Sequence, residues 1–158
     1  MANTALMIAS SDEHFREMVR DNLLNIPNAR IVAEYQEVAA NLYIRVLQDL
    51  ERNPNAGLIV DISGDPESAI KAMERVKQAA PGLFTIVSNF HADGETVIAA
   101  MRAGANEFLL QPIKRTEFRD AIVEGRDPRP SVEESTRALR VIMKFYHAAQ
   151  SGKTLSLG

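Results

Sequence analysis

The sequence contains no cysteine, no tryptophan and no long apolar run. Without cysteine the chain cannot form disulfides, thiolate nucleophiles or cysteine-based zinc sites. No apolar run approaches the roughly 18 residues of a membrane span, and residues 1–9 lack the basic region of a signal peptide. The 18 Lys and Arg residues are interspersed with 21 Asp and Glu residues. This composition gives no electrostatic footprint for nucleic acid or an anionic membrane. The lack of a signal-peptide pattern and of a membrane-spanning run predicts a cytoplasmic protein.

The remaining composition suits one globular domain. The chain has 158 residues, 46% of them hydrophobic, and at this length roughly 70% of the unfolded surface can be buried. His14, His91 and His147 are scattered, with no carboxylate at catalytic or metal-ligand spacing. We therefore expect the three histidines on the surface.

Short apolar runs alternate with longer amphipathic segments up to about Gly125, which is typical of a parallel sheet with helices on both faces. The runs are Ala5–Ala9, Arg30–Glu34, Gly57–Asp61, Leu83–Ser88 and Glu107–Leu110. The first, third and fourth are continuously apolar, as strands buried on both faces must be. The second has polar ends, which suit an edge strand. The pattern predicts a doubly wound, flavodoxin-like α/β domain over residues 1–125, with strand order 2-1-3-4-5.

Helix signals occupy the segments between the runs. Ser10 and Glu13 have the spacing of a capping box ahead of the first helix. Asp65 followed by Pro66 predicts the start of the third helix. Gly104 is expected to be the left-handed cap of the fourth helix.

The pattern breaks after Gly125. Pro128 and Pro130 exclude regular helix, so residues 126–131 are predicted to form an extended linker. Residues 132–158 form a predicted C-terminal extension that ends in a flexible tail. A helix is the preferred interpretation for residues 132–146, and a strand is the alternative because Val141–Tyr146 is rich in β-branched and aromatic residues.

A ligand site in an open doubly wound sheet lies at the carboxyl ends of the strands, where the strand order reverses. The polar residues at those ends are Ser10, Ser11, Asp12, Asp61, Ser88 and Gln111. A carboxylate that closes an apolar strand has no obvious packing role, because a buried charge must be paired or coordinated. Asp61 is therefore the centre of the candidate site. The structural alternatives are a carboxylate that caps loop amides at Asp61 and helix caps at Ser10 and Ser11.

From Leu6 to about Gly125 the sequence resembles the receiver domains of response regulators. The matching segments are Leu58–Asp61, Ile86–Ser88 and Ala100–Pro112. The resemblance implies that Asp61 is the phosphoacceptor candidate. It also implies switch-type positions at Ser88, Phe108, Gln111 and Pro112, and a cis Gln111–Pro112 bond.

Two departures from the receiver pattern indicate a degenerate, or pseudo-, receiver. Receivers hold Mg²⁺ with an acidic pair after strand one, where this chain has Ser10 and Ser11, followed by Asp12. The lysine of the pattern is Gln111 here, so a phosphoryl group would lose the cation that balances its charge. Asp12 and Asp61 would form a weak Mg²⁺ site at best. We therefore expect no cofactor, and we expect Gln111 to hydrogen-bond Asp61 or the backbone.

A second resemblance covers Arg140–Thr154. This segment is similar to the strand and deviant Walker A loop that open the ATPase domain of Flp/Tad pilus-assembly (CpaE-like) proteins, which carry a degenerate receiver in front. Residues 147–150 replace the glycine-rich turn that a phosphate cradle needs, so we expect no working P-loop. The resemblance implies a role in pilus assembly or localisation, and it leaves open whether residues 141–158 begin a longer ATPase domain.

These observations predict a non-enzymatic signalling and protein-interaction domain. Its expected partners are a pilus-assembly protein or a kinase, and a second copy through apolar positions in Val97–Phe118, the receiver output face. The alternative function is a phosphorelay through Asp61. A flavodoxin-like cofactor binder ranks lower, because Ser10–Glu13 has no glycine and carries two acids that repel phosphate. A transcription factor also ranks low, because one C-terminal helix has no helix-turn-helix partner.

Overall fold

The computed structural model describes residues 3–125, which alternate between strands and helices. The strands are β1 (Thr4–Ala9), β2 (Ala29–Tyr35), β3 (Gly57–Asp61), β4 (Thr85–Asn89) and β5 (Glu107–Leu110). The helices are α1 (Glu13–Leu23), α2 (Leu42–Arg52), α3 (Pro66–Ala79), α4 (Gly94–Arg102) and α5 (Arg115–Gly125). None of these five helices combines the length and apolar character that crossing a bilayer requires. The predicted linker (126–131) and C-terminal extension (132–158) lie outside the described residues.

The five strands form one parallel sheet with the order β2-β1-β3-β4-β5, which confirms the predicted topology. Every residue of β3 is buried, because helices cover both faces of the sheet. β2 was predicted as an edge strand from its polar ends; it lies at an edge and is mostly half-buried. β4 begins at Thr85, two residues later than predicted, and the Leu83 carbonyl before it accepts hydrogen bonds from side chains, Lys77 Nζ and Thr85 Oγ1.

Two apolar cores lie on opposite faces of the sheet. The core under α2, α3 and α4 includes Met7, Val60, Val87 and Phe108. The core under α1 and α5 includes Ile8, Ile59, Ile86 and Phe118. Side chains two residues apart in a strand share a face. The face under α1 and α5 therefore continues, at the carboxyl ends of three strands, into Ser10, Asp61 and Ser88.

The predicted capping box at the start of α1 is wrong. Asp12 is the cap, and its Oδ1 accepts a hydrogen bond from the His14 amide at 2.9 Å. A capping side chain must directly precede the first helical residue, which is Glu13, and Ser10 lies too far back in the chain. The start of α3 agrees with prediction, because Asp65 caps it and Pro66 follows in the first turn.

Gly104 follows α4 with a φ of 112°, which confirms the predicted left-handed backbone. A Cβ at this position would lie 3.0 Å from Cγ and Cε of Lys77. We expect Gly104→Ala to lower the free energy of unfolding by about 1–2 kcal/mol, measured by urea denaturation.

Gly82→Ala is the matched control for Gly104→Ala. A Cβ at Gly82 meets nothing within 4 Å, so this change should alter stability by less than about 0.5 kcal/mol. Equal losses in the two variants would contradict the assignment of strain to Gly104.

Candidate functional site

Asp61 closes β3 at the carboxyl edge of the sheet, and only 6% of its surface is exposed. Its Oδ2 accepts a hydrogen bond from the Ser10 hydroxyl at 2.7 Å. Its Oδ1 accepts from the Ser63 hydroxyl at 2.6 Å, the Ser63 amide at 3.0 Å and Gln111 Nε2 at 3.0 Å. Among residues 3–125 the buried carboxylate therefore has four neutral hydrogen-bond donors and no counterion, and these donors supply the partners that a buried polar group needs.

The donors around Asp61 come from the ends of three strands. Ser10 directly follows β1, Ser63 lies two residues beyond Asp61, and Gln111 directly follows β5. Parallel strands end at the same edge of a sheet, which brings these distant positions together. The Gln111–Pro112 bond is cis, as the receiver resemblance implies. We refer to these four residues, Ser10, Asp61, Ser63 and Gln111, as the Asp61 pocket.

Ser10 and Gln111 were identified as site candidates from the sequence, but the helix-cap interpretation of Ser10 is wrong. The Ser10 side chain is fully buried and donates to Asp61, while its Oγ accepts from the Asp12 amide at 3.0 Å. Gln111 donates to Asp61, one of the two partners expected for it.

Ser63 was not identified from the sequence. The available signal was local, because an aspartate side chain often accepts a hydrogen bond from the amide two residues later. That geometry places Ser63 directly against Asp61, where both its amide and its hydroxyl donate.

Ser11 and Asp12 lie outside the Asp61 pocket. Ser11 is exposed, and the Asp12 carboxylate serves as the cap of α1. None of the four hydrogen bonds to Asp61 comes from either residue. The loop after β1 therefore contributes the neutral Ser10 hydroxyl to the pocket, while its carboxylate, Asp12, caps the start of α1.

Ser88 and Phe108, two of the four switch-type positions, occupy different faces of the sheet. Ser88 is the register partner of Asp61 on the neighbouring strand β4. Its hydroxyl is fully buried and finds no hydrogen-bond partner within residues 3–125. Leaving a buried hydroxyl unsatisfied costs about 1–3 kcal/mol. Phe108 packs in the core on the opposite face, so its ring does not border the pocket.

Arg16 on α1 places a buried cation beside the pocket, with 6% of its surface exposed. Its Nη1 donates to the Ser10 carbonyl at 2.6 Å. Arg16 also pairs with Glu13 and with Glu34 on β2, and Arg20 contacts the same two carboxylates. Hydrogen bonds from Arg20 and Arg16 hold the pKa of Glu13 below its ordinary value. Arg16 thus ties the backbone of the pocket to α1 and β2, while two glutamates neutralise its charge.

The residues of the pocket do not fit a Mg²⁺ site. Magnesium is usually held by carboxylates and water in near-octahedral geometry. Both oxygens of Asp61 already accept hydrogen bonds, Ser10 offers only a hydroxyl, and Asp12 caps α1. Over residues 3–125 no three His, Cys, Asp or Glu side chains are grouped so that they could hold a metal.

Comparison of the sequence with protein-family models and with curated proteins gives no match. The structure is similar to a protein described as the pilus assembly protein cpaE from Burkholderia thailandensis, with a TM-score of 0.67 and 20% identity, over 80% of this chain and 99% of that one. It is also similar to the receiver domain of NarL from Mycobacterium tuberculosis, with a TM-score of 0.67 and 18% identity, over 82% and 100% of the two chains.

A third similar structure is the isolated REC domain of RcsB from Salmonella enterica, solved in the presence of the phosphomimetic BeF₃⁻. The TM-score is 0.67 and the identity 20%, over 87% of this chain and 99% of that one. At such identities the likeness establishes the fold, and it agrees with the strand order of the sheet. Residues 3–125 therefore have the fold of the response-regulator receiver domains.

Proposed function

We propose that this chain is a degenerate receiver that binds protein partners without enzymatic turnover and without phosphorylation at Asp61. The observation that carries the proposal is that both Asp61 oxygens accept hydrogen bonds from neutral donors, Oδ2 from Ser10 and Oδ1 from Ser63 and Gln111. Phosphoryl transfer needs a carboxylate oxygen free to attack phosphorus. It also needs cations on the developing negative charge. The neutral donors of the pocket supply no such cation, and each Asp61 oxygen already accepts a hydrogen bond from one of them.

The pocket instead connects three strand ends in one arrangement. Ser10 is fully buried and Gln111 is 3% exposed, so both hydrogen bonds to Asp61 are shielded from water. A receiver that signals must change its surface when its aspartate is modified. A pocket held by neutral hydrogen bonds keeps one surface, which suits constitutive protein binding.

The proposed context is pilus assembly or localisation in the cytoplasm, supported by the structural likeness to the cpaE protein. The proposed partners are a pilus-assembly component and a second copy of this chain. Within Val97–Phe118 the exposed large apolar side chain is Ile98, at 43%. A homodimer through this stretch would therefore depend on polar contacts around a small apolar centre.

The alternative function is a phosphorelay in which a kinase partner phosphorylates Asp61. One observation favours it: the buried hydroxyl of Ser88, in register with Asp61, has no partner among the described residues. A phosphoryl group on Asp61 would offer that hydroxyl an acceptor.

Mass spectrometry after incubation with acetyl phosphate and Mg²⁺ separates the two functions. We expect no phosphoryl adduct on the wild-type chain, while an ordinary receiver domain treated in parallel acquires one. Asp61→Asn is the matched control, because it keeps the shape of the side chain and removes the nucleophile. An adduct on the wild type that is lost in Asp61→Asn would establish the phosphorelay and refute the degenerate receiver.

A further inference from the structure

Helices α1 and α5 lie side by side on one face of the sheet, over the core that they share. On each helix, three exposed side chains stand three or four residues apart, which places them in one row along the helix. The α1 row is Glu17, Asp21 and Leu24, and the α5 row is Arg115, Arg119 and Val123. We refer to these six residues as the α1–α5 face.

The α1–α5 face carries exposed apolar surface at one end. Leu24 and Val123 are 84% and 55% exposed, more than any other large apolar side chain among residues 3–125. Single exposed apolar side chains are ordinary, whereas neighbouring ones mark contact sites. Leu24 directly follows α1, and Val123 lies near the end of α5. Both side chains therefore lie on adjacent helices, towards the edge of the sheet opposite the Asp61 pocket.

The charges of the α1–α5 face are divided by sign between the two helices. The α1 row has two carboxylates and the α5 row has two guanidinium groups, and none of the four forms an ion pair within residues 3–125. Asp120 and Glu124, also exposed on α5, lie one position after Arg119 and Val123. They are therefore about 100° further around the helix axis. An acidic row beside a basic row is complementary to a second copy of itself when unlike rows meet.

We propose that the α1–α5 face is a homodimer interface, in which a twofold axis runs parallel to the two helices. Both helices follow strands of one parallel sheet, so both run from the carboxyl edge to the opposite edge. An axis along that direction sets α1 of one copy against α5 of the other. An axis across the helices would set α1 against α1 and α5 against α5, which brings like charges together. The charge pattern thus selects the first arrangement.

The same axis also matches the two rows in height. Glu17 lies four residues after the start of α1 at Glu13, and Arg119 lies four residues after the start of α5 at Arg115. In the dimer each Glu17 therefore faces Arg119 of the second copy, and Leu24 lies near Val123 of the second copy. The symmetry makes each of these contacts twice.

A second copy is one of the partners named in the proposed function, on which this inference rests. The α1–α5 face suits that partner better than Val97–Phe118, where Ile98 is the only large apolar side chain among the strongly exposed ones. The interface leaves Val97–Phe118 accessible to the other partner. It also leaves the Asp61 pocket uncovered, so dimerisation should not depend on modification of Asp61.

Sedimentation equilibrium of the full chain and of two charge-reversal variants tests the interface. We expect the wild type to dimerise. Glu17→Arg alone and Arg119→Glu alone should each raise the dimer dissociation constant by about tenfold or more, because each change creates two contacts between like charges. An equimolar mixture of the two variants should restore the dimer, since each variant then supplies the charge that the other lacks.

Arg102→Glu is the matched control, because Arg102 is exposed on α4 and the charge change equals that of Arg119→Glu. It should leave the dissociation constant unchanged, and circular dichroism checks that every variant is folded. A dimer that is weakened by Arg102→Glu and not by Arg119→Glu would overturn the proposal and place the second copy on Val97–Phe118, with the proposed function intact. A monomeric wild type, or a mixture that fails to restore the dimer, would also overturn it. A phosphoryl adduct on Asp61 would refute the degenerate receiver without changing any of these results.

Discussion

Asp61→Ala is expected to lower the free energy of unfolding by about 3 kcal/mol, because each buried donor left without an acceptor costs about 1–3 kcal/mol. The change leaves the Ser10 hydroxyl and the Gln111 amide, both buried, without the carboxylate they now share. Urea denaturation measures the loss, and an unchanged dependence on urea concentration would show that the same surface is exposed on unfolding.

Asp61→Asn is the control that separates shape from charge. Its carbonyl still accepts hydrogen bonds, and the Ser10 hydroxyl can rotate to accept from the new amide. The loss should therefore be smaller, about 1 kcal/mol. If Asp61→Ala proves more stable than the wild type, the carboxylate is held under strain for a ligand, and the structural role assigned to the pocket is wrong.

Ser10→Asp is expected to have an effect of similar or larger size in the absence of metal. Ser10 is fully buried and its Oγ lies 2.7 Å from Asp61 Oδ2. A second carboxylate there would be a buried, unpaired like charge, and removing compensation from a buried charge costs about 3–5 kcal/mol. Mg²⁺ can bind the new pair, so added Mg²⁺ should restore part of the lost stability by mass action.

The stability of the Ser10→Asp variant should change with pH in a definite direction. Repulsion between the two carboxylates raises one folded-state pKa above its unfolded value. The variant should therefore lose stability as the pH rises from the unfolded-state pKa to the raised folded-state pKa. At lower pH its free energy of unfolding should approach that of the wild type, because the protonated carboxyl can donate a hydrogen bond as Ser10 does. Thermal unfolding at several pH values, with and without Mg²⁺, measures this directly.

Ser10→Asn is the matched neutral control for Ser10→Asp. Its amide can donate to Asp61, so the loss of stability should be smaller and should respond to neither Mg²⁺ nor pH.

The double variant Ser10→Asp with Gln111→Lys adds a cation to the pocket, and we expect it to accept a phosphoryl group from acetyl phosphate. Stability of Ser10→Asp that does not respond to Mg²⁺ would contradict the proposal that the pocket lacks a metal site because position 10 carries no carboxylate.

The sheet and the centre of the site could be predicted because their signals are periodic or positional. Buried parallel strands have continuously apolar sequences, and these runs predicted the bounds of β1 and β3 to within one residue. A charge at the end of such a run has to be satisfied, which singled out Asp61. The topology then brings Gln111 to the same edge without any local signal between the two residues.

Other parts of the site could not be predicted because their partners are remote in sequence. The spacing of Ser10 and Glu13 satisfies a local capping pattern, but only the tertiary structure shows that Asp61 competes for the Ser10 hydroxyl. Arg16 has the appearance of a solvent-facing charge on an amphipathic helix. Its burial follows from Glu34 on β2 and the Ser10 carbonyl, which the helix pattern does not contain.

The sheet order has a consequence for how this chain folds during synthesis. β1 emerges first, yet it is an inner strand that pairs with β2 and β3. The Ser10–Asp61 and Asp61–Gln111 hydrogen bonds join residues 51 and 50 positions apart. Contacts between residues so far apart form late, because closing a long loop costs conformational entropy before the contacts stabilise it. At roughly 5–20 residues per second, Gln111 is added about 5–20 s after Ser10. Closure of the pocket thus marks the assembly of β1, β3 and β5 into one sheet.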